Sequence, residues 1–111
     1  MGRLFRSIKH AFNGLKIVLK TEKNFRLHLF IALIAIVIGW WRNLGEIMWI
    51  MLLLIIALVM ALEIFNSAIE RLVDMLAPKT HHFAKEIKDL LAAMVLLVSL
   101  FAAVIGFIIF F

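Results

Sequence analysis

The 111-residue sequence contains no cysteine and a single proline, and only 17% of its residues are charged. Without cysteine there is no disulfide framework, no thiolate metal site and no thiol redox chemistry, and no thiol marks a compartment. With one proline, Pro78, the long apolar runs are free of helix breakers. Acidic residues are scarce, 7 Asp and Glu against 12 Lys and Arg, for a net charge of +5. What fills the chain instead is hydrocarbon: 66% of the residues are hydrophobic and the mean hydropathy is +1.11. That composition excludes an ordinary soluble domain, because the runs from Leu27 to Trp41, Ile47 to Leu62 and Leu90 to Phe111 leave almost no polar surface to cover a core.

These runs read as membrane helices, and a single small all-α membrane domain over residues 1–111 is expected. The basic first 26 residues do not read as a signal peptide. No small-residue cleavage site follows the first apolar run, and Trp40, Trp41 and Arg42 stand there instead. From Arg3 to Lys20, Leu4, Phe5, Ile8, Phe12, Leu15 and Leu19 recur at helical spacing, with Arg6, Lys9, Lys16 and Lys20 displaced from them. The spacing predicts an amphipathic helix over about 3–20, lying either in the membrane interface or on a partner protein. Three spans follow, over about 26–42, 46–65 and 90–111. The first is short, so it recruits Phe25 to His28 or sits where the bilayer is thin, and the turn Arg42-Asn43-Leu44-Gly45 sends the second straight back. The second helix carries sixteen consecutive apolar residues, Ile47 to Leu62, and continues unbroken through Asp74 until Ala77, Pro78 and Lys79 end it. Trp40, Trp41 and Trp49 read as interface anchors.

Lys and Arg counts orient the chain. Seven precede the first span and four lie between the second and third, while Arg42 alone faces the other way. The positive-inside rule therefore predicts a multi-pass membrane protein with a cytoplasmic N-terminus. The basic surplus is expected to meet anionic headgroups, and no nucleic acid partner is expected.

Glu63, Asn66, Glu70 and Asp74 are spaced by three, four and four, which sets them within about 80° of one helix face and along about 16 Å of its length. A charge at mid-bilayer costs about 2.5–3.5 kcal/mol on insertion scales, so Glu63 should face protein or a wet cleft. Lys88 and Asp89 open the third span at the same level, and Glu22, Asn24 and Arg26 sit where the surface helix meets the first span. Such a collection suits an anionic ligand held with a hard cation. Mg2+ fits best, because it takes one or two carboxylates plus substrate phosphates. Zinc does not, since the adjacent His81 and His82 lack ligand spacing. A Glu at this level can also serve as a general base. The spacing equally suits interhelical hydrogen bonding by Glu63 and Asn66 and a solvated helix end at Glu70, Arg71 and Asp74. No P-loop, glycine-rich loop or kinase catalytic loop is present.

The run Glu63-Ile64-Phe65-Asn66-Ser67-Ala68-Ile69-Glu70-Arg71-Leu72-Val73-Asp74 resembles the E-x-x-N-[ST]-A-I-E-x-x-[IV]-D signature of the prokaryotic diacylglycerol kinase and undecaprenol kinase family. Thr21-Glu22-Lys23-Asn24-Phe25-Arg26 is similar to that family's stretch before its first span, and Lys88-Asp89 to its Lys-Asp at the third. The resemblance covers nearly the whole chain. It implies transfer of the ATP γ-phosphoryl group to the hydroxyl of a membrane lipid alcohol, undecaprenol or diacylglycerol, at the cytoplasmic interface, by a homotrimer whose sites are shared between neighbouring chains. By the same resemblance Glu63 would be the general base and Glu22 and Glu70 would hold Mg2+. Arg3, His10, Glu22, Asn66, Glu70, Asp74, Lys88 and Asp89 would bind ATP, and Glu63 and Ala92 would meet the lipid. Two features depart from the family pattern: Leu90-Leu91-Ala92-Ala93-Met94 stands where small residues including Gly are common, and His28 stands where some members carry an acidic residue. Two other classes compete. A small proton-coupled transporter would keep its Glu deep in a span, and a structural membrane protein needs no acidic stripe.

Overall fold

The computed structural model describes residues 1–77 and 82–111, which form four α-helices and, among the described residues, no strand. They are α1 (Gly2–Thr21), α2 (Lys23–Trp41), α3 (Glu46–Leu76) and α4 (His82–Phe110). The last three are long and apolar enough to cross a membrane. At 1.5 Å per residue α2 is about 29 Å long, close to the thickness of the hydrocarbon layer, whereas α3 reaches about 46 Å and must project beyond it. The projecting part is the end that carries Glu63 to Asp74.

The surface helix expected over 3–20 forms as α1. Its apolar residues Leu4, Phe5, Phe12 and Leu15 are exposed, so no part of this chain covers them, as suits a helix lying at an interface. α2 begins at Lys23 and so takes in Phe25 to His28. α3 ends at Leu76 with Ala77 extended behind it; Pro78, Lys79 and His81 lie outside the described residues. α4 begins eight residues before the apolar run at Leu90. The polar stretch ahead of the third span is therefore helical, stitched by i,i+4 pairs between His82 and Glu86 (3.1 Å) and between Lys85 and Asp89 (2.7 Å).

α4 packs chiefly along α3, α2 also packs on α3, and α1 meets α2. The internal core is thin: Val18 and Phe25 at the α1–α2 junction, Ala32 and Leu52 between the hairpin arms, and Leu91 on α4 are buried. Most large apolar side chains of α2 to α4 point outward, which is tolerable only where hydrocarbon or another apolar surface replaces water.

The hairpin turn is built locally. Asn43 takes a left-handed conformation (φ 53°), one that its short polar side chain tolerates. Arg42 Nη1 donates to the carbonyl of Phe110, which gives the last turn of α4 a partner for one of its otherwise open carbonyls. Trp40 and Trp41 are exposed, as expected for anchors. Trp49 differs: it is half-buried and lies over Gly39, where a Cβ would come within 3.2 Å of its ring and 2.9 Å of Leu44 Cδ1. Gly39→Leu is expected to destabilise the chain by about 1–3 kcal/mol through overpacking. Gly14→Ala on α1, where nothing lies within 4 Å, should leave stability unchanged or slightly raised; unfolding midpoints of the two variants in detergent check the contrast.

Candidate active site

Site construction starts at the elbow between α1 and α2. Glu22 is the one residue between the two helices, in extended conformation (φ −108°, ψ 106°), and it caps α1 and α2 at once. Arg26, in the first turn of α2, folds back and donates from Nη1 to the carbonyls of Leu19 (2.7 Å) and Lys20 (3.0 Å). These are C-terminal carbonyls of α1 that lack helical partners, and a guanidinium there is favoured by both hydrogen bonding and the helix dipole. Phe25 and Val18 bury the inside of the bend. The Glu22 side chain is thereby aimed at α3.

On α3 the expected stripe holds together, with Glu63, Asn66 and Glu70 lining one cavity, and the polar contacts around it divide into two rows. Glu63, Ser67 and Arg71, four apart, turn toward α2 and the elbow. Glu63 Oε1 accepts from His28 Nδ1 on α2. Ser67 Oγ donates to Glu22 Oε1 (2.8 Å) and accepts from Arg71 Nη1. Arg71 Nη2 also reaches Thr21 Oγ1 (2.9 Å), whose hydroxyl donates to the Ile17 carbonyl (2.8 Å). The second row is Asn66, Glu70 and Asp74, of which Asp74 Oδ1 meets Lys88 Nζ of α4 at 2.6 Å. The rows tie α3 to α1 and α2 on one side and to α4 on the other.

Between them lies a cavity of about 440 Å³ lined by Glu22, Glu63, Asn66, Glu70, Ala92 and Ser99, among others. Glu63 is 6% exposed and Ser67 3%. Among the described residues, three buried side-chain atoms have no hydrogen-bond partner: Glu63 Oε2, Asn66 Oδ1 and Ser99 Oγ. All three belong to residues of this cavity. Leaving such an atom unsatisfied costs about 1–3 kcal/mol, so residues of this one cavity carry three groups that call for a partner, water or a polar ligand. A second cavity of about 420 Å³, lined almost wholly by apolar residues of α2, α3 and α4, adjoins it and shares His28 and Ser99.

Of the residues singled out in the sequence, Glu22, Glu63, Asn66, Glu70 and Ala92 come together on this cavity. Asp74, Lys88 and Asp89 lie outside its lining; Lys88 binds Asp74, and Asp89 pairs with Lys85 (2.7 Å) rather than acting with Lys88. Arg3 and His10 are exposed on α1, and the structure does not bring them to the cavity. Sequence reasoning passed over His28, Ser67, Arg71 and Ser99 as site residues. For Ser67 and Arg71 the signal was their i,i+4 spacing from Glu63; for Ser99 it was a lone hydroxyl in an apolar span.

No three His, Asp or Glu side chains among the described residues form a ready-made metal cage. The cavity instead offers two carboxylates, Glu22 and Glu70, and the open amide oxygen of Asn66, a hard-oxygen set that suits a cation completing its shell with phosphate and water.

The sequence matches the family model described as prokaryotic diacylglycerol kinase over residues 9–110. It is 34% identical over 110 residues to the undecaprenol kinase of Bacillus subtilis (strain 168), covering 99% of this chain and 89% of that protein. It is 31% identical over 102 residues to the diacylglycerol kinase of Escherichia coli (strain K12), covering 92% and 84% of the two chains. With the diacylglycerol kinase of Haemophilus influenzae it shares 36% identity over 86 residues, covering 78% and 73%. Extended over nearly the full length and joined to the acidic cavity at the end of α3, these matches establish that the chain belongs to the prokaryotic diacylglycerol kinase family.

Proposed function

We infer that this chain is a lipid kinase that transfers the γ-phosphoryl group of ATP to the hydroxyl of a membrane lipid alcohol, undecaprenol or diacylglycerol, at the cytoplasmic face. The observation that carries the reading is the buried Glu63 carboxylate, with Oε1 engaged by His28 and Oε2 without a hydrogen-bond partner, on a side chain that lines a cavity with two further carboxylates. In this reading the alcohol proton passes to Glu63 Oε2 as the alcohol oxygen bonds to the γ-phosphorus. The bond from that phosphorus to its bridging oxygen breaks, and ADP leaves with the electron pair. The apolar tail extends away from the polar cavity past Ala92.

Glu22, Glu70 and Asn66 would hold Mg2+, which when bound neutralises charge on the transferring phosphoryl group. Ser67 and Arg71 keep Glu22 pointed into the cavity. Lys88, held by Asp74, would present an ammonium on the nucleotide side, with Asp89 nearby and paired to Lys85, and Arg3 and His10 would approach nucleotide from the surface helix. A homotrimer is supported by the outward-facing apolar side chains of α2 to α4 and by Ala57 and Ala61, small enough for close helix approach. The uneven distribution of Lys and Arg supports insertion in the bacterial inner membrane with the N-terminus in the cytoplasm.

Purified protein given ATP, Mg2+ and either undecaprenol or diacylglycerol is expected to yield phosphorylated lipid. Glu63→Gln should lower turnover by about 10²–10⁴-fold, the range of a general base, with folding intact; absence of product with both lipids would overturn the kinase reading. Glu22→Gln and Glu70→Gln should each shift the Mg2+ titration of activity to higher concentration, whereas Lys88→Ala should raise KM for ATP without moving that titration. The cysteine-free sequence makes orientation directly measurable. A thiol at His82→Cys should be shielded from an impermeant reagent in intact cells, and one at Glu46→Cys should react.

A further inference from the structure

The contact between His28 and Glu63 is not required by the acidic stripe. It joins two spans across 35 positions of sequence, and it is made by a side chain that also borders both cavities. A carboxylate with two free oxygens beside a mobile alcohol can accept a proton on either and can rotate between them. In this structure the choice is removed. His28 Nδ1 engages Oε1, and Oε2 is left buried and unpartnered, on a side chain that lines the polar cavity. A carboxylate is an acceptor, so Nδ1 must carry the proton in this contact. The imidazole is itself held in place: α2 is phased at its first turn by the Arg26 clamp and by buried Phe25, and the ring is only 28% exposed.

We propose that His28 is the positioning residue of the phosphoryl transfer: its Nδ1–H fixes Glu63 through Oε1 and leaves Oε2 as the single oxygen that can take the alcohol proton. This rests on the reading of Glu63 as proton acceptor. His28 touches the base and not the reacting atoms, so its loss acts on turnover rather than on nucleotide binding. Ser99, whose buried hydroxyl also lacks a hydrogen-bond partner, lines both the polar and the apolar cavity.

The experiment uses the full chain in phospholipid vesicles, with undecaprenol and diacylglycerol as acceptors. His28→Leu is expected to lower kcat by about 10- to 100-fold, the usual loss when the orienting partner of a reactive group is removed, with KM for ATP unchanged. His28→Asn, whose amide N–H can stand in for Nδ1–H, should recover most of that loss. Unchanged kcat in His28→Leu, or an equal loss in a folded His28→Asn, overturns the proposal. If neither variant folds, 15N-histidine spectra of the unaltered chain decide: a protonated Nδ1 at His28 supports it and an unprotonated one overturns it. Glu63→Gln is measured alongside. Should that variant keep full activity, the base assignment itself fails, a result distinct from an active Glu63 served by a dispensable His28.

Discussion

A carboxylate placed directly after sixteen apolar residues cannot be left to hydrocarbon, and the arrangement around Glu63 follows from that constraint. The group is desolvated and would be costly alone. Its neighbours answer on one side only: His28 meets Oε1 while Oε2 remains open. To deliver His28 there, α2 must start in the right phase, which the Arg26 clamp on the end of α1 provides. The same elbow extends Glu22 toward Ser67. Surface helix, first span and acidic helix are therefore interdependent, and their common junction lies where polar groups first become affordable along the membrane normal.

Much of this was legible from one chain. Long apolar runs, the short Arg42 to Gly45 turn and the helical pattern of Leu4 to Leu19 specify helices because in hydrocarbon every backbone group must bond internally. Glu63, Asn66 and Glu70 could be grouped because they share a face of one helix, and 100° per residue suffices to show it. Glu22 joined them because the topology brings the start of the first span to the same level, and Ala92 through the family resemblance. What periodicity could not supply was which neighbour each residue meets. The division of the polar contacts around the stripe into a row facing the elbow and a row reaching α4 depends on how three helices are rotated about their axes, and no single helix encodes that. His28, Ser67 and Arg71 acquire their roles only across the packed junction.

The residues that stay apart have a physical reason as well. Arg3 and His10 lie on a helix that is fastened to the remainder near its C-terminal end, at Val18, Thr21 and Glu22, so its first turns have no protein surface to direct them. Asp74, Lys88 and Asp89 stand beyond the enclosed part of the cavity, where ion pairs with near neighbours satisfy them. Such exposed pairs contribute little to stability, about 0–1 kcal/mol, and can exchange partners at small cost when an anion arrives. The enclosed residues are fixed and the outer ones are exchangeable, a gradation suited to a lipid alcohol that comes from the membrane and a nucleotide that comes from water.

The three open atoms at the cavity, Glu63 Oε2, Asn66 Oδ1 and Ser99 Oγ, also bear on a problem of numbers. A protein in a bilayer is surrounded by acyl chains that vastly outnumber any alcohol substrate and can flow into every greasy crevice it offers. A hydrocarbon tail that drifts into this one gains nothing from the buried, unpartnered oxygens of its walls, whereas a molecule bearing a hydroxyl brings a group able to pair with them. Recognition of this kind rejects the analogue that lacks the polar group far more strongly than any difference in tail shape can. A crevice walled by such oxygens favours, among the molecules of its own solvent, those that carry a polar head.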